Sequence, residues 1–123
     1  MLKLATGVLA LLLASQAADS KKWKTVKEVM EKTHKDIDGR EPAYEVREGR
    51  GTEADRKLIL DAYKAMSFMK PPRGDEKAWK AKTGEIVSTI SDMLAKKPGA
   101  EGRINGLMSC RGCHEGYRPG GNK

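Results

Sequence analysis

Apolar residues recur every three or four positions along most of the chain from Trp23 onward, with charged residues between them. This spacing places apolar side chains on one face of an α-helix. It predicts helices from Trp23 to Ile37, from Thr52 onward, from Asp75 onward and from Ala100 to Arg118. No segment combines strict alternation with β-branched residues, so the pattern predicts no sheet.

Each predicted helix carries an apolar stripe that we expect to be buried against the other helices. The stripe residues are Val26, Val29, Met30, Thr33 and Ile37, then Leu58, Ile59, Ala62, Ala65, Met66 and Met69, then Trp79, Thr83, Ile86, Val87, Ile90, Met93 and Leu94, and finally Ile104, Leu107 and Met108.

Turn and capping residues separate the predicted helices. Thr25 and Glu28 have the spacing of a capping box, and the polar stretch from Gly39 to Gly51 is predicted as a connecting loop. The proline and glycine clusters at 71–74 and 98–99 end the following helices. Four helices with mostly short connections predict an all-α fold, an antiparallel four-helix bundle.

The first residues have the pattern of a secretory signal peptide. Lys3 precedes an apolar run from Leu4 to Ala14, and small residues follow it. This run is about half as long as a membrane span requires, which argues against an uncleaved anchor. We expect residues 1–17 to be removed after Ala17, leaving one exported domain from 18 to 123 without a membrane span.

The chain is moderately basic, with 24 lysines and arginines against 17 acidic residues and a net charge of +7. Without Lys3 the mature chain carries +6. Such a charge favours docking to acidic partner proteins or an anionic surface, or it only maintains solubility. Basic and acidic residues alternate and aromatic residues are few, so we do not expect nucleic-acid binding.

The two cysteines lie in the sequence Cys110-Arg111-Gly112-Cys113-His114. C-x-x-C-H is the attachment sequence of c-type haem, in which the cysteines bond to the porphyrin and the histidine binds the iron. On a helix, these three side chains share one face. We therefore expect one covalently bound haem c. Bacteria attach haem in this way outside the cytoplasmic membrane, in agreement with the predicted signal peptide.

Three other interpretations of the cysteines exist: a disulfide, a thioredoxin-like redox pair or part of a zinc site. The redox pair requires strands that the pattern does not predict. A structural zinc site normally has four ligands, and His34 is the only further cysteine or histidine. One further histidine and no plausible nucleophile pair also argue against a hydrolytic triad, so we do not expect an enzyme.

A haem motif on the last helix of an exported helical domain resembles the class II cytochromes c, which include cytochrome c′ and its low-spin relatives of the cytochrome c556 type. The stretch from Cys110 to Arg118 matches the ending of that class, with an arginine four residues after the histidine. The stretch from Lys70 to Lys80 resembles a set of short bacterial c-type cytochromes. The segment from Gly39 to Gly51 departs from cytochrome c′ itself.

The resemblance implies a haem packed between the helices, with His114 as the proximal iron ligand and the first helix over the other haem face. Low-spin relatives place a methionine of the first helix at the sixth position, which Met30 matches, and His34 is the alternative. Met108 is disfavoured because it shares the predicted last helix with His114. Arg118 either contacts the propionates or the proximal pocket, or is a solvent-facing charge.

The sixth iron ligand separates two functions. With Met30 bound, the iron is six-coordinate and the protein is a one-electron carrier between periplasmic redox proteins, which is the function we expect. With Met30 only in the core, the iron is five-coordinate and binds small gases such as nitric oxide or carbon monoxide. A third hypothesis has no haem and describes an exported helical binding domain with a disulfide. Bundles of this kind often dimerise, so a homodimer is an open alternative.

Overall fold

The computed structural model describes residues 23–121, and this part of the chain is helical. The six helices in it are α1 Val26–Thr33, α2 Pro42–Arg47, α3 Glu53–Ser67, α4 Glu76–Leu94, α5 Ala100–Leu107 and α6 Cys110–Tyr117. The one β-type pairing among these residues is a single bridge between Ile37 and Arg40. The prediction of an all-α fold is confirmed. The predicted signal peptide, residues 1–17, lies outside the described residues.

Helix α1 is shorter than the predicted span from Trp23 to Ile37. It begins after Thr25, whose hydroxyl accepts a hydrogen bond from the backbone N–H of Glu28 at 3.1 Å. The Glu28 carboxylate accepts from the N–H of Lys24 at 3.2 Å instead of from Thr25, so only half of the predicted capping box forms. The helix ends at Thr33, and Ile37 is exposed rather than buried.

The starts of α3 and α4 agree with the predicted signals. The Thr52 hydroxyl accepts from the Asp55 N–H at 3.1 Å, and the Asp55 carboxylate accepts from the Thr52 N–H at 2.9 Å. The Asp75 carboxylate accepts from the Ala78 N–H at 2.8 Å at the start of α4. These bonds satisfy helix N–H groups that otherwise have no partner.

The prediction of a loop from Gly39 to Gly51 was wrong, because this segment contains α2. Pro42 occupies the start of the helix, where its fixed φ angle is suitable and its missing N–H costs nothing. Pro42, Ala43 and Val46 are buried. Six residues are too few for helical periodicity to be visible in the sequence, and the surrounding glycines obscured it.

The predicted single helix from Ala100 to Arg118 was also wrong, because it is broken between Leu107 and Cys110. Ser109 has an extended backbone, and its hydroxyl accepts from the Gly112 N–H at 3.1 Å. Ser109 is therefore the N-cap of a separate helix. As a result, the C-x-x-C-H motif begins α6 instead of lying in the middle of a longer helix.

The core forms where α3 packs against α1, α2 and α4, and where α5 packs against α2 and α4. Most residues of the predicted stripes are buried or partly buried in it. Ala43, Val46 and Tyr63 also belong to the core although no stripe included them. The buried apolar residues are Trp23, Val29, Ala43, Val46, Ile59, Ala62, Tyr63, Ala65, Met66, Trp79, Ile86, Ile90, Met93, Ala100, Ile104 and Met108.

The end of helix α6 contacts the segment before α4 and α4 itself. The Arg73 guanidinium donates to the carbonyl oxygens of Glu115 and Arg118 at the end of α6. Tyr117 contacts Trp79 edge to face, with ring centroids 5.1 Å apart. Within residues 23–121, no helix is long and apolar enough to cross a membrane.

Candidate functional site

A cavity of about 580 Å³ lies between α1 and α6, which is within the usual size range of cofactor sites. Val26 and Met30 of α1 line it, as does His34 directly after the helix, and the three follow one another at intervals of four residues. Helix α6 lines it with the cysteines and the histidine of the C-x-x-C-H motif. Two separate walls therefore carry metal-binding side chains.

The other walls of the cavity come from α2 to α5. They consist mainly of apolar and aromatic side chains, with Glu41 and Arg47 as the charged exceptions. These residues are Glu41, Ala43, Tyr44, Arg47, Tyr63, Pro72, Trp79, Ile86, Leu107 and Met108. Trp79, which the sequence places on the core stripe of α4, is buried and donates its indole N–H to the Met66 carbonyl at 2.8 Å.

All six residues that the sequence suggests for a haem site line this one cavity. They are Met30, His34, Cys110, Cys113, His114 and Arg118. Met30 and His34 come from α1, and the rest come from α6 and the residue that follows it. About 80 residues separate the two groups in the sequence. The local pattern does not predict their proximity, which only the resemblance implies.

The two cysteines differ in their surroundings. Cys110 is exposed at the first position of α6, whereas Cys113 and His114, one turn later, are half-buried. Both cysteines are thiols rather than a disulfide. Burial raises the pKa of the Cys113 thiol, partly opposed by the nearby charge of Lys82. Cys113 therefore stays protonated at neutral pH until a reaction partner reaches it.

Arg47 is a site residue that the sequence analysis missed, because it lies in the segment predicted as a loop. Its Nη1 donates to the Cys110 sulfur at 3.4 Å, and its Nη2 donates to Glu48 at 3.1 Å. Its Nε is buried and has no hydrogen-bond partner among the described residues. A buried donor without a partner is costly, so the packing of Arg47 in this wall carries an energetic penalty.

His34 is held at both ring nitrogens. Its Nδ1 lies 2.5 Å from the Thr33 hydroxyl, and its Nε2 lies 3.0 Å from the Tyr63 hydroxyl. Burial, together with the nearby His114, lowers the pKa of His34 to about 4. The imidazole is therefore neutral at physiological pH, which is the form that can bind a metal. Tyr63 had no recognisable signal in the sequence beyond its helical spacing from Ile59.

Two methionines line the cavity. Met30 is half-buried on α1 and packs against the core, and Met108 is buried at the break between α5 and α6. The expectation that Met108 shares a helix with His114 was wrong, because the helix ends at Leu107. Because of this break, a shared helix no longer excludes Met108 as an iron ligand. Met30 remains the better candidate, since it lines a different wall of the cavity from the C-x-x-C-H motif.

Arg118 is exposed at the end of α6 and lines the edge of the cavity. Its backbone N–H donates to the His114 carbonyl at 3.2 Å, one helical turn back. The position is compatible with both interpretations of this residue, contact with an acidic group in the cavity and a charge near the helix C-terminus.

The cavity lining contains the residue types that a haem c requires. His114 would supply an iron ligand, and Cys110 and Cys113 lie on the same short helix. No three His, Cys, Asp or Glu side chains within residues 23–121 are grouped to bind a metal ion by themselves, as a structural zinc site would require.

Comparisons with known proteins find no matching family, no matching curated protein and no matching solved structure. A function for this chain is therefore inferred from its motif and its cavity.

Proposed function

We propose that the protein is an exported mono-haem c-type cytochrome that carries single electrons. The observation that supports this most directly is the cavity, because the C-x-x-C-H motif lines it from α6 while Met30 and His34 line it from α1. We also propose that α1, α3, α4 and the α5–α6 pair are the four members of an antiparallel bundle. Helix α2 is then an insertion between the first two.

Each part of the site has a role in this proposal. Cys110 and Cys113 would hold the porphyrin through thioether bonds, and His114 would bind the iron. The bound haem supplies a one-electron ferric–ferrous couple. Apolar side chains such as Trp79 and Ile86 limit the access of water, which influences the reduction potential.

The surface around the cavity is compatible with docking of acidic redox partners. Lys27, Lys35 and Arg118 are exposed and line the cavity. The acidic residues on its lining are Glu31, which is exposed, and Glu41, which is half-buried. A net positive charge of the chain would favour encounter with a negatively charged partner. Together with the predicted signal peptide, this suggests a bacterial periplasmic carrier.

Gas binding is the second candidate function, and the hydrogen bond of His34 favours it. Because Nε2 of His34 is bonded to Tyr63, it is not free to bind iron in this conformation. If Met30 also stays in the core, the sixth position is open to nitric oxide or carbon monoxide.

The test is the absorption spectrum of the protein, expressed with its own leader and a haem maturation system. It is recorded oxidised, reduced, and reduced under carbon monoxide. A low-spin spectrum that carbon monoxide barely changes supports the electron carrier. A high-spin spectrum that shifts at once supports gas binding. If no haem is covalently attached, both functions are wrong, and the Cys110→Ser, Cys113→Ser double variant shows the spectrum to expect in that case.

Met30→Ala tests the methionine ligand directly. We expect this variant to change a low-spin protein to a high-spin one that binds carbon monoxide, because alanine cannot bind iron. Met69→Ala is the matched control, since Met69 is also half-buried but does not line this cavity. An unchanged low-spin spectrum in Met30→Ala would exclude Met30 as the ligand and direct attention to His34.

A further inference from the structure

A chain of hydrogen bonds connects α1 with α3 beside the cavity. The Thr33 hydroxyl lies 2.6 Å from the Val29 carbonyl oxygen and 2.5 Å from His34 Nδ1. His34 Nε2 lies 3.0 Å from the Tyr63 hydroxyl. Thr33 and Tyr63 are buried, so these groups exchange few hydrogen bonds with water.

The direction of each bond follows from counting hydrogens. A carbonyl oxygen only accepts, so the single hydroxyl hydrogen of Thr33 points at Val29. Thr33 can then only accept from His34, which means that Nδ1 carries the imidazole hydrogen. A neutral imidazole has one N–H, so Nε2 presents its lone pair and Tyr63 donates its O–H to it.

The protonation states agree with this assignment. Burial lowers the pKa of His34 to about 4, so the ring is neutral at physiological pH. Burial is the main reason that the pKa of Tyr63 lies above its ordinary range. The phenol therefore keeps its hydrogen and remains a donor.

We infer that Tyr63 keeps His34 off the iron, by using the Nε2 lone pair through which a histidine would coordinate. This inference rests on the proposed function, because it concerns the sixth ligand of a bound haem. Nδ1 cannot substitute for Nε2, since it carries the hydrogen and is bonded to Thr33. Tyr63 is thus a positioning residue, and Met30, one turn earlier on α1, has no competitor from this histidine.

Both ends of the ring contribute to the restraint. Thr33 holds one nitrogen and Tyr63 holds the other, so the imidazole is fixed between α1 and α3. To reach an iron atom, His34 would have to lose the Tyr63 bond and rotate away from Thr33. Removing only the Tyr63 hydroxyl releases Nε2 while the phenyl ring still fills the core.

The experiment compares the matured wild-type protein with Tyr63→Phe. Coordination is read from the ferric electron paramagnetic resonance spectrum and from the NMR signal of a coordinated methionine methyl group. We expect Tyr63→Phe to contain a bis-histidine form that the wild type lacks, and Tyr63→Phe, His34→Ala to lose it again. Tyr44→Phe is the matched control, because Tyr44 also lines the cavity but has no hydrogen bond to His34.

The outcomes separate this inference from the proposed function. A wild type that already has bis-histidine ligation overturns the inference but leaves the cytochrome proposal intact. So does a Tyr63→Phe variant with unchanged ligation. A five-coordinate wild type that becomes bis-histidine in Tyr63→Phe supports the inference and shifts the function to gas binding. Absence of covalent haem in the wild type overturns both.

Discussion

Arg47 is a half-buried cation on the wall of the cavity. Its guanidinium contacts the Cys110 sulfur, Glu48 and the face of Tyr44, yet its buried Nε has no partner among the described residues. A hydrogen bond to a charged group contributes about 1.5–3 kcal/mol, so an acidic porphyrin substituent would be a strong partner.

Replacing Arg47 with methionine tests this role, because the variant keeps much of the apolar stem but loses the charge. We expect the reduction potential to fall, since a positive charge near the iron favours the ferrous form. A change of about 1 kcal/mol corresponds to roughly 40 mV for one electron. Spectroelectrochemical titration measures it. Arg50→Met is the control, because Arg50 also lies over Tyr44 but is exposed. Equal potentials in both variants would contradict the role.

The stability of the fold depends on pH through Asp55, which lies at the start of α3. Its carboxylate accepts two hydrogen bonds from Arg40 and one from the Thr52 N–H, and the Arg40 bond is the main reason that the pKa of Asp55 is lowered. A lowered pKa means that the charged form stabilises the fold above the ordinary Asp pKa of about 3.9. That contribution disappears as the pH falls below this value.

We expect Asp55→Asn to lower the free energy of unfolding at pH 7 by about 1–3 kcal/mol, because it weakens charge-assisted hydrogen bonds. The difference from wild type should shrink as the pH falls through 4 toward 2. Urea unfolding at several pH values measures it. Asp61→Asn, on the same helix, is the control. A difference that stays constant with pH would show that the charge of Asp55 is not responsible.

At the scale of helices, the break before α6 depends on a single capping residue. Ser109 accepts the Gly112 N–H, and the helix that it caps contains the whole C-x-x-C-H motif. We expect Ser109→Ala to lower the free energy of unfolding by about 1 kcal/mol, because the first turn of α6 loses its cap. Urea unfolding of the matured protein measures this loss.

Ser88→Ala is the control for the cap, since Ser88 is exposed inside α4, where alanine is the better helix former. It should be neutral or slightly stabilising. A loss of stability as large as that of Ser109→Ala would indicate a general effect of removing a serine.

The helices that the sequence predicts well are those with strong local signals. Thr52 and Asp75 cap α3 and α4 as expected, and the stripes from Ile59 to Met66 and from Trp79 to Met93 are largely buried. Helix α2 and the break at Ser109 were missed for physical reasons. A six-residue helix shows no complete period, and an N-cap serine within an otherwise helical pattern does not look different from a surface serine.

The residues of the site also fall into those that the sequence predicts and those that it does not. C-x-x-C-H is a local motif, so Cys110, Cys113 and His114 could be selected from the sequence alone. Arg47 and Tyr63 could not, because each becomes important only when α2 and α3 are packed beside α6. Tertiary contacts between residues far apart in the chain leave no trace in a single sequence.

At the scale of the whole molecule, Gly74 determines how closely the segment before α4 approaches α6. Its φ angle is +88°, a backbone conformation that residues other than glycine rarely adopt. A Cβ atom at this position would lie 2.6 Å from the Gly116 carbonyl oxygen. We expect Gly74→Ala to lower the free energy of unfolding by about 1–3 kcal/mol and to loosen α6. Urea unfolding and the exchange rates of the α6 amide hydrogens measure the two effects.

Gly84→Ala is the control for this contact, because Gly84 lies inside α4 with open space around the position of a Cβ atom. It should increase stability by about 0.5–1 kcal/mol. If Gly74→Ala behaved in the same way, close approach between the two segments would not be needed.

The position of α6 also bears on the order of events during biogenesis. Helices α1 to α5 precede the attachment motif in the chain and contain the residues of the core. A ribosome therefore completes the core segments first, and the thiols emerge last. Helix α6 is held by Arg73, by the Arg47 contact at Cys110 and by the packing of Cys113 and Tyr117, so we expect it to open before the core does. Loading of the cofactor would then be the closing step of maturation, and failure of that step would leave a folded precursor rather than an unfolded chain.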